Sequence, residues 1–139
     1  MKKLLILLLF SFPLFAEEKI KLLCEGTMFT KTDNKADGAY KKSMVLKFDE
    51  KGINVDGKRY EDTLMQKYST YETFTSYDYH EDNINYYHTV ENVSDSKRDV
   101  MILGKINRMS AEFTQTTYYY DARFSMYFEG KCKKAERAF

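Results

Sequence analysis

The chain has 139 residues, 22 Lys+Arg against 21 Asp+Glu, and an aromatic content of 16% with 12 tyrosines and no tryptophan. That length suits one domain. The balanced charge argues against nucleic acid, whose binders carry a basic excess on one face. The one local excess, Lys131, Lys133, Lys134 and Arg137, reads as a solvated strand end.

Residues 1–16 have the three parts of a cleavable export signal. Lys2 and Lys3 precede an apolar run, Leu4–Phe10, and a short tail through Pro13 ends at Ala16. The run falls short of the roughly 20 apolar residues that span a bilayer, so an uncleaved anchor is the weaker alternative. Leu14, three residues before the cut, is bulkier than usual and leaves the exact site open. Residues 17–139 are then a single β-domain, slightly acidic once the two leader lysines are gone. The expected home is the periplasm or the medium, and the mature chain is not expected to be an integral membrane protein.

Two cysteines remain, Cys24 and Cys132. In an oxidising compartment they are expected to pair. Lys21-Leu22-Leu23 lacks the small residues of a lipoprotein cleavage site, so Cys24 is not read as a lipidated terminus. A redox role needs an exposed, low-pKa thiol, usually in Cys-x-x-Cys form, and neither cysteine has that setting.

In chain order, the alternation of apolar and polar residues marks strands throughout. Ile20, Leu22, Cys24, Gly26 and Met28 share a face in the first, although Leu23 and Phe29 make its other face partly apolar. Lys42–Asp49 places Met44, Leu46 and Phe48 together. Glu50-Lys51-Gly52 turns the chain into Ile53–Tyr60, where Asp56-Gly57 favours the positive-φ turn of a hairpin. Glu61–Met65 is the only candidate for a helical turn. Gln66–His80 follows as one long tyrosine-rich strand, then the polar tip Glu81-Asp82-Asn83 and the strand Ile84–Glu91. Asn92–Lys97 is a loop, Arg98–Asn107 a strand, and Arg108-Met109-Ser110 a tight turn into Ala111–Tyr120. After a corner at Asp121, Phe124, Met126, Phe128, Gly130 and Cys132 line one face of the last strand.

Eight strands joined by short turns describe an antiparallel meander, and pairing of first and last closes a small lipocalin-like barrel. The motifs agree with that closure. With Cys24 opposite Cys132, Gly26 falls opposite Gly130 and Met28 opposite Phe128, since paired antiparallel residues keep a constant index sum. The rival is a two-sheet β-sandwich with the disulfide crossing its core.

Chemistry-bearing motifs are sparse. No Gly-x-Ser-x-Gly, Ser-x-x-Lys set or His-Glu-x-x-His occurs, so no catalytic residue is assigned and no cofactor is expected. Asp49-Glu50 and Glu61-Asp62 sit at turn signals and read as solvated loops. His80 and His88 flank an acidic tip and are weak metal candidates, lacking the cysteines and tight spacing of structural zinc sites. An enzyme assembled from residues distant in sequence is the least favoured class.

Two binding readings compete. In one, a barrel interior lined by Met28, Met44, Leu46, Phe48, Ile102, Phe124, Met126 and Phe128 holds a small apolar ligand. In the other, these bulky residues fill the core and a tyrosine-rich outer surface, with Tyr71, Tyr77, Tyr79, Tyr87 and Tyr119 as candidates, meets a protein or envelope component. The second is favoured.

The segment Ile106-Asn107-Arg108-Met109-Ser110-Ala111-Glu112-Phe113, followed by Phe128-Glu129-Gly130-Lys131-Cys132, resembles the C-terminal part of small exported bacterial β-proteins of unassigned function. Their pattern is a strand, an Arg-x-Thr/Ser-Gly turn, a second strand and Gly-x-Cys near the end. Here Ala111 replaces the turn glycine. The resemblance covers roughly the last third of the chain, implies a Gram-negative periplasmic home, and brings no activity or functional residues.

Overall fold

In the computed structural model, which describes residues 20–93, 99–120 and 123–135, every regular element is a strand. The proposed leader, the expected loop beyond Val93 together with Arg98, and the Asp121 corner lie outside these residues. The ten strands are β1 (Ile20–Thr32), β2 (Lys35–Phe48), β3 (Gly52–Val55), β4 (Lys58–Glu61) and β5 (Thr63–Lys67), then β6 (Tyr71–Tyr79), β7 (Asn83–Asn92), β8 (Val100–Asn107), β9 (Glu112–Tyr119) and β10 (Phe124–Lys134). Among the described residues no helix is long and apolar enough to cross a membrane.

All ten form one curled antiparallel sheet, in the order β4-β3-β2-β1-β10-β9-β8-β7-β6-β5. The first and last strands pair in the expected register, with Cys24 opposite Cys132, Gly26 opposite Gly130 and Met28 opposite Phe128. The disulfide joins two adjacent strands across a Cα–Cα distance of 3.9 Å. It therefore does not bridge two sheets of a sandwich. Cys132 N–H donates to the Ala111 carbonyl on the β9 side at 2.7 Å. Its backbone polar groups thus face away from β1, leaving the non-hydrogen-bonded pairing in which opposed side chains approach closest.

The expected count of eight strands and the closed ring are corrected. The cyclic order of a closed meander is kept, but the seam lies between β4 and β5, and the fold is barrel-like rather than sealed by a complete ladder. Asp56-Gly57 splits Ile53–Tyr60 into β3 and β4. Both turn residues have positive φ, 48° and 92°, as a tight hairpin turn requires. The segment read as a helical turn ends β4 and begins β5, and Tyr68–Thr70 breaks the long strand. β2 begins seven residues earlier than the alternation suggested, because Ala36, Gly38 and Ala39 carry little strand propensity. Its true start is the Asp33-Asn34 turn, with φ of 50° and 65°.

Two glycines let the sheet curl tightly. A Cβ on Gly26 would stand 2.0 Å from the Glu129 carbonyl oxygen, so only glycine allows β1 and β10 to approach there. The Phe128 ring lies against Gly130 and fills the space opposite. Gly104 in β8 faces a different neighbour. A Cβ there would stand 1.9 Å from the Tyr86 ring, which lies flat across the glycine.

The inward face is one apolar cluster running from Met28, Met44, Leu46 and Phe48 through Ile53 and Val55 to Ile84, Ile102, Ile106, Phe113 and Phe128. Curling brings β3–β4 over β6–β7, and aromatic contacts close the seam in place of a backbone ladder. Tyr60 stacks on Tyr86 with ring centroids 4.9 Å apart. The Tyr77 hydroxyl donates to the Asp49 carbonyl at 2.7 Å. The Tyr77 N–H, near the irregular β5–β6 ladder, donates to the Asp62 carboxylate at 2.8 Å. At the lower end Arg108 lies over Tyr79 at 5.0 Å and donates to the His80 carbonyl at 2.9 Å.

The β8–β9 turn holds a non-glycine residue at positive φ. Asn107 Oδ1 accepts from the N–H groups of Met109 and Ser110 at 3.0 and 3.1 Å, and Ala111 then takes φ of 61°. An L-residue in this region costs about 1–2 kcal/mol, while glycine loses about 0.5–1 kcal/mol more chain entropy on folding. Ala111→Gly is therefore expected to stabilise the protein by about 0.5–1 kcal/mol, measured as a raised urea midpoint at unchanged m-value.

Candidate functional site: an aromatic belt on the convex face

Residues paired across antiparallel strands share a face. On the convex face, opposite the core, two adjacent rows carry large apolar side chains. The first runs Phe29 (β1), Tyr127 (β10), Thr116 (β9), Leu103 (β8), Tyr87 (β7) and Ser76 (β6). The second runs Lys31, Ser125, Tyr118, Met101, Thr89 and Phe74 over the same strands. At ~4.8 Å between strands the belt is about 24 Å long.

Its rings are ordered by one another. Phe29 and Tyr127 stack with centroids 6.2 Å apart, and Phe74 packs obliquely on Tyr87 at 6.3 Å. Leu103 between them is 42% exposed. Isolated exposed apolar residues are ordinary, but four exposed ones, Phe29, Phe74, Leu103 and Tyr127, joined by half-buried Tyr87, Met101 and Tyr118 across six contiguous strands, form a patch of the kind that marks an interaction surface. Glu129, Lys105 and Asp78 line one side, Glu72 and Glu91 the other, giving a polar rim. Burial, followed by the neighbouring Glu129 carboxylate, holds the Tyr127 phenol above its ordinary pKa of 10.0. It thus remains a neutral hydrogen-bond donor beside the apolar side chains of the belt.

The relief is shallow. A hollow of about 240 Å³ lies beside Leu103, Thr116 and Tyr87, and another of about 240 Å³ lies over Thr89 between Phe74 and Tyr87. Both fall below the roughly 300–1,000 Å³ of pockets that enclose small ligands. The belt therefore offers contact to a broad surface, with small recesses for individual side chains.

The sequence candidates are placed as follows. Met28, Met44, Leu46, Phe48, Ile102 and Phe128 are each 6% exposed or less and belong to the packed core, while Phe124 and Met126 are partly buried at its rim. Of the five tyrosines assigned to the outer surface, only Tyr87 lies on the convex face. Tyr77 is 6% exposed and turned inward, a correction forced by the register, since odd positions of β6 share the face of Thr75. Tyr79 likewise packs against the core beneath Arg108. Tyr119 pairs with Phe124 on the concave rim, and Tyr71 stacks on Tyr68 at 4.5 Å near β5. The signal for the belt was present in the sequence: Tyr127 is the apolar residue on the otherwise polar face of its strand, and Phe29, with Leu23, interrupts the polar face of the first.

A second cluster occupies the concave side. His88 Nδ1 lies 2.8 Å from Thr75 Oγ1, its ring meets the edge of Tyr60 at 5.5 Å, and Lys58 Nζ sits 5.4 Å from the centre of Tyr60. The Tyr86 hydroxyl donates to Gln115 Oε1. His80 lies in the β6–β7 turn, its N–H donating to the Asn83 carbonyl, and His88 stands five residues further along β7, about 17 Å at strand rise, so the structure does not bring the two histidines together. Among the described residues no three His, Cys, Asp or Glu side chains are placed to hold a metal ion. Burial, then the neighbouring Tyr119, raises the Tyr60 phenol to about 12, so it offers no ionised oxygen near neutrality.

This cluster does give a pH dependence. Burial, then the Lys58 charge, holds the His88 ring below its ordinary 6.5. The unfolded chain therefore takes up this proton at higher pH than the folded one. The stability contributed by neutral His88 is complete above about pH 6.5 and is lost as pH falls through the folded value. Urea midpoints at about pH 7.5 and about pH 5 should differ more for the native chain than for His88→Gln. Equal differences would show that other groups carry the acid sensitivity.

Comparison with known protein families, curated proteins and solved structures finds no match to this chain.

Proposed function

We propose that the protein is an exported, non-catalytic binding protein that meets a protein or envelope component through the convex aromatic belt. The observation that carries this reading is the belt itself, seven large apolar side chains in two adjacent rows with a polar rim. The occupied core favours it over an enclosed apolar-ligand site, since the side chains suited to line a cavity pack on one another instead. Export rests on the leader-like residues 1–16, and the Cys24–Cys132 bond is compatible with an oxidising compartment outside the cytoplasm. The periplasm is the favoured location.

The test compares the native protein with Leu103→Lys/Tyr127→Lys, two substitutions at exposed positions that leave the core intact. Each protein, immobilised, is exposed to the solubilised envelope fraction of its own producing cell. The native protein should retain a discrete component at saturable stoichiometry, and the double variant should retain on the order of tenfold less, a loss of ~1.4 kcal/mol or more. Equal retention, with both thermal midpoints unchanged, removes the belt from the account.

A further inference from the structure

We propose that the outer edge of β2, over Lys35–Ser43, is a strand-addition site for an extended acidic segment of another protein. The site is separate from the convex belt and independent of it.

β3 pairs with β2 only at Leu46, Lys47 and Phe48. The next residue back, Val45, has its edge filled by Asp56: Val45 N–H donates to the carboxylate at 2.7 Å, and the Asp56 N–H donates to the Val45 carbonyl at 2.9 Å. Val45 therefore directs its backbone polar groups away from β1. By strand alternation Ser43, Lys41 and Ala39 do the same. Among the described residues no strand pairs with them on that side. β1 runs along the other side of the whole segment, with an irregularity at Asp37, so the edge is backed by a long hairpin. Lys35–Lys41 are exposed on both faces of the strand, and among the described residues no element covers the place of an added strand. The other two free edges, β4 at four residues and β5 with its register break, offer shorter templates.

The charges select the occupant. Lys35, Lys41 and Lys42 lie on this segment against Asp37, which already accepts a hydrogen bond from the Thr32 hydroxyl. Lysines on an edge disfavour a second copy, which would bring the same charges into register, and they disfavour neutral strands that leave them unpaired. An acidic segment satisfies both backbone and side chains, and pairing the lysines adds discrimination to a ladder that is itself sequence-blind.

The probe is a labelled decapeptide of alternating glutamate and valine, compared with its lysine counterpart by fluorescence anisotropy on the whole mature protein. The glutamate peptide should bind saturably near 1:1, weaken with added salt, and outcompete the lysine peptide on the order of tenfold or more. Lys35→Glu/Lys41→Glu/Lys42→Glu, the first two exposed and the third half-buried, should reverse that preference. Ala39→Pro, which removes an outward N–H that no strand among the described residues accepts, should weaken the glutamate peptide without altering charge. The proposal is overturned by absence of saturable binding, by equal affinity for both peptides, or by a concentration-dependent dimer whose formation the charge reversal abolishes.

Discussion

Replacing Cys24 and Cys132 together with alanine is expected to lower stability by about 3–5 kcal/mol. The bond spans a sequence separation of 108, and a loop of ~100 residues returns up to ~4.7 kcal/mol of chain entropy to the unfolded state in the loop-closure account. That is much of the ~5–15 kcal/mol by which a small domain exceeds its unfolded state. The bond also fixes the one strand pairing with the greatest sequence separation, which is the slowest for a chain to find. Denatured, unreduced protein should show no free thiol. The alanine pair should unfold at a lower urea midpoint and refold more slowly. An unchanged midpoint would mean that the β1–β10 ladder holds its register without the covalent link.

The second large effect is expected at Tyr86. Its ring lies across Gly104, is covered by Tyr60, and is 2% exposed, while its hydroxyl donates to Gln115. Truncation to alanine removes the central layer that seals β4 onto β7–β8 and should cost about 3–5 kcal/mol, the range for a buried aromatic. Gly104→Ala attacks the same layer from below, since the new methyl would occupy the place of the ring. It should cost about 1–3 kcal/mol in the native background. In the Tyr86→Ala background the methyl has room, and the penalty should largely vanish. A double-mutant cycle therefore reads the contact directly. Additive losses would show that the ring and the glycine are not in contact in solution.

The parts of the fold that were legible are those set by local geometry. Period two marked the strands, Asp56-Gly57 marked the β3–β4 turn, and the paired Cys-x-Gly and Gly-x-Cys motifs set the register of β1 on β10 at a separation no local signal reaches. The count failed where composition hid the chain's direction. Ala36, Gly38 and Ala39 masked the start of β2, and Glu61-Asp62 sits between two strands with no glycine to punctuate them. The place of the seam was not legible at all, because a cyclic meander of even strand number opens equally well between any two neighbours. What fixes it is tertiary: Tyr60, Tyr77 and Asp62 satisfy the faces and N–H groups of β4–β6 across the gap.

The candidate site was misplaced by weighting residue type over face. Tyrosine content drew attention to β6, yet alternation sends Tyr77 and Tyr79 inward, where their rings pack and Tyr77's hydroxyl finds a carbonyl. Phe29, Leu103 and Tyr127 carry the belt because they interrupt polar faces, and that departure from pattern is the more informative signal. The same logic separates the two proposed surfaces, the belt by excess apolar area and the β2 edge by unsatisfied backbone and positive charge.

The most direct test of the belt is a site-specific photo-crosslinking scan in living, exporting cells. A photoreactive side chain is placed singly at Leu103, Tyr127 and Phe74 on the belt, and at Lys47 and Lys133 away from it. The account predicts one common adduct at the three belt positions, none at the two controls, and loss of the adduct when Phe29 and Tyr87 are changed to serine. Adducts at the control positions alone, or none at the belt while the exported protein is folded and oxidised, would contradict the belt as the working surface of this protein.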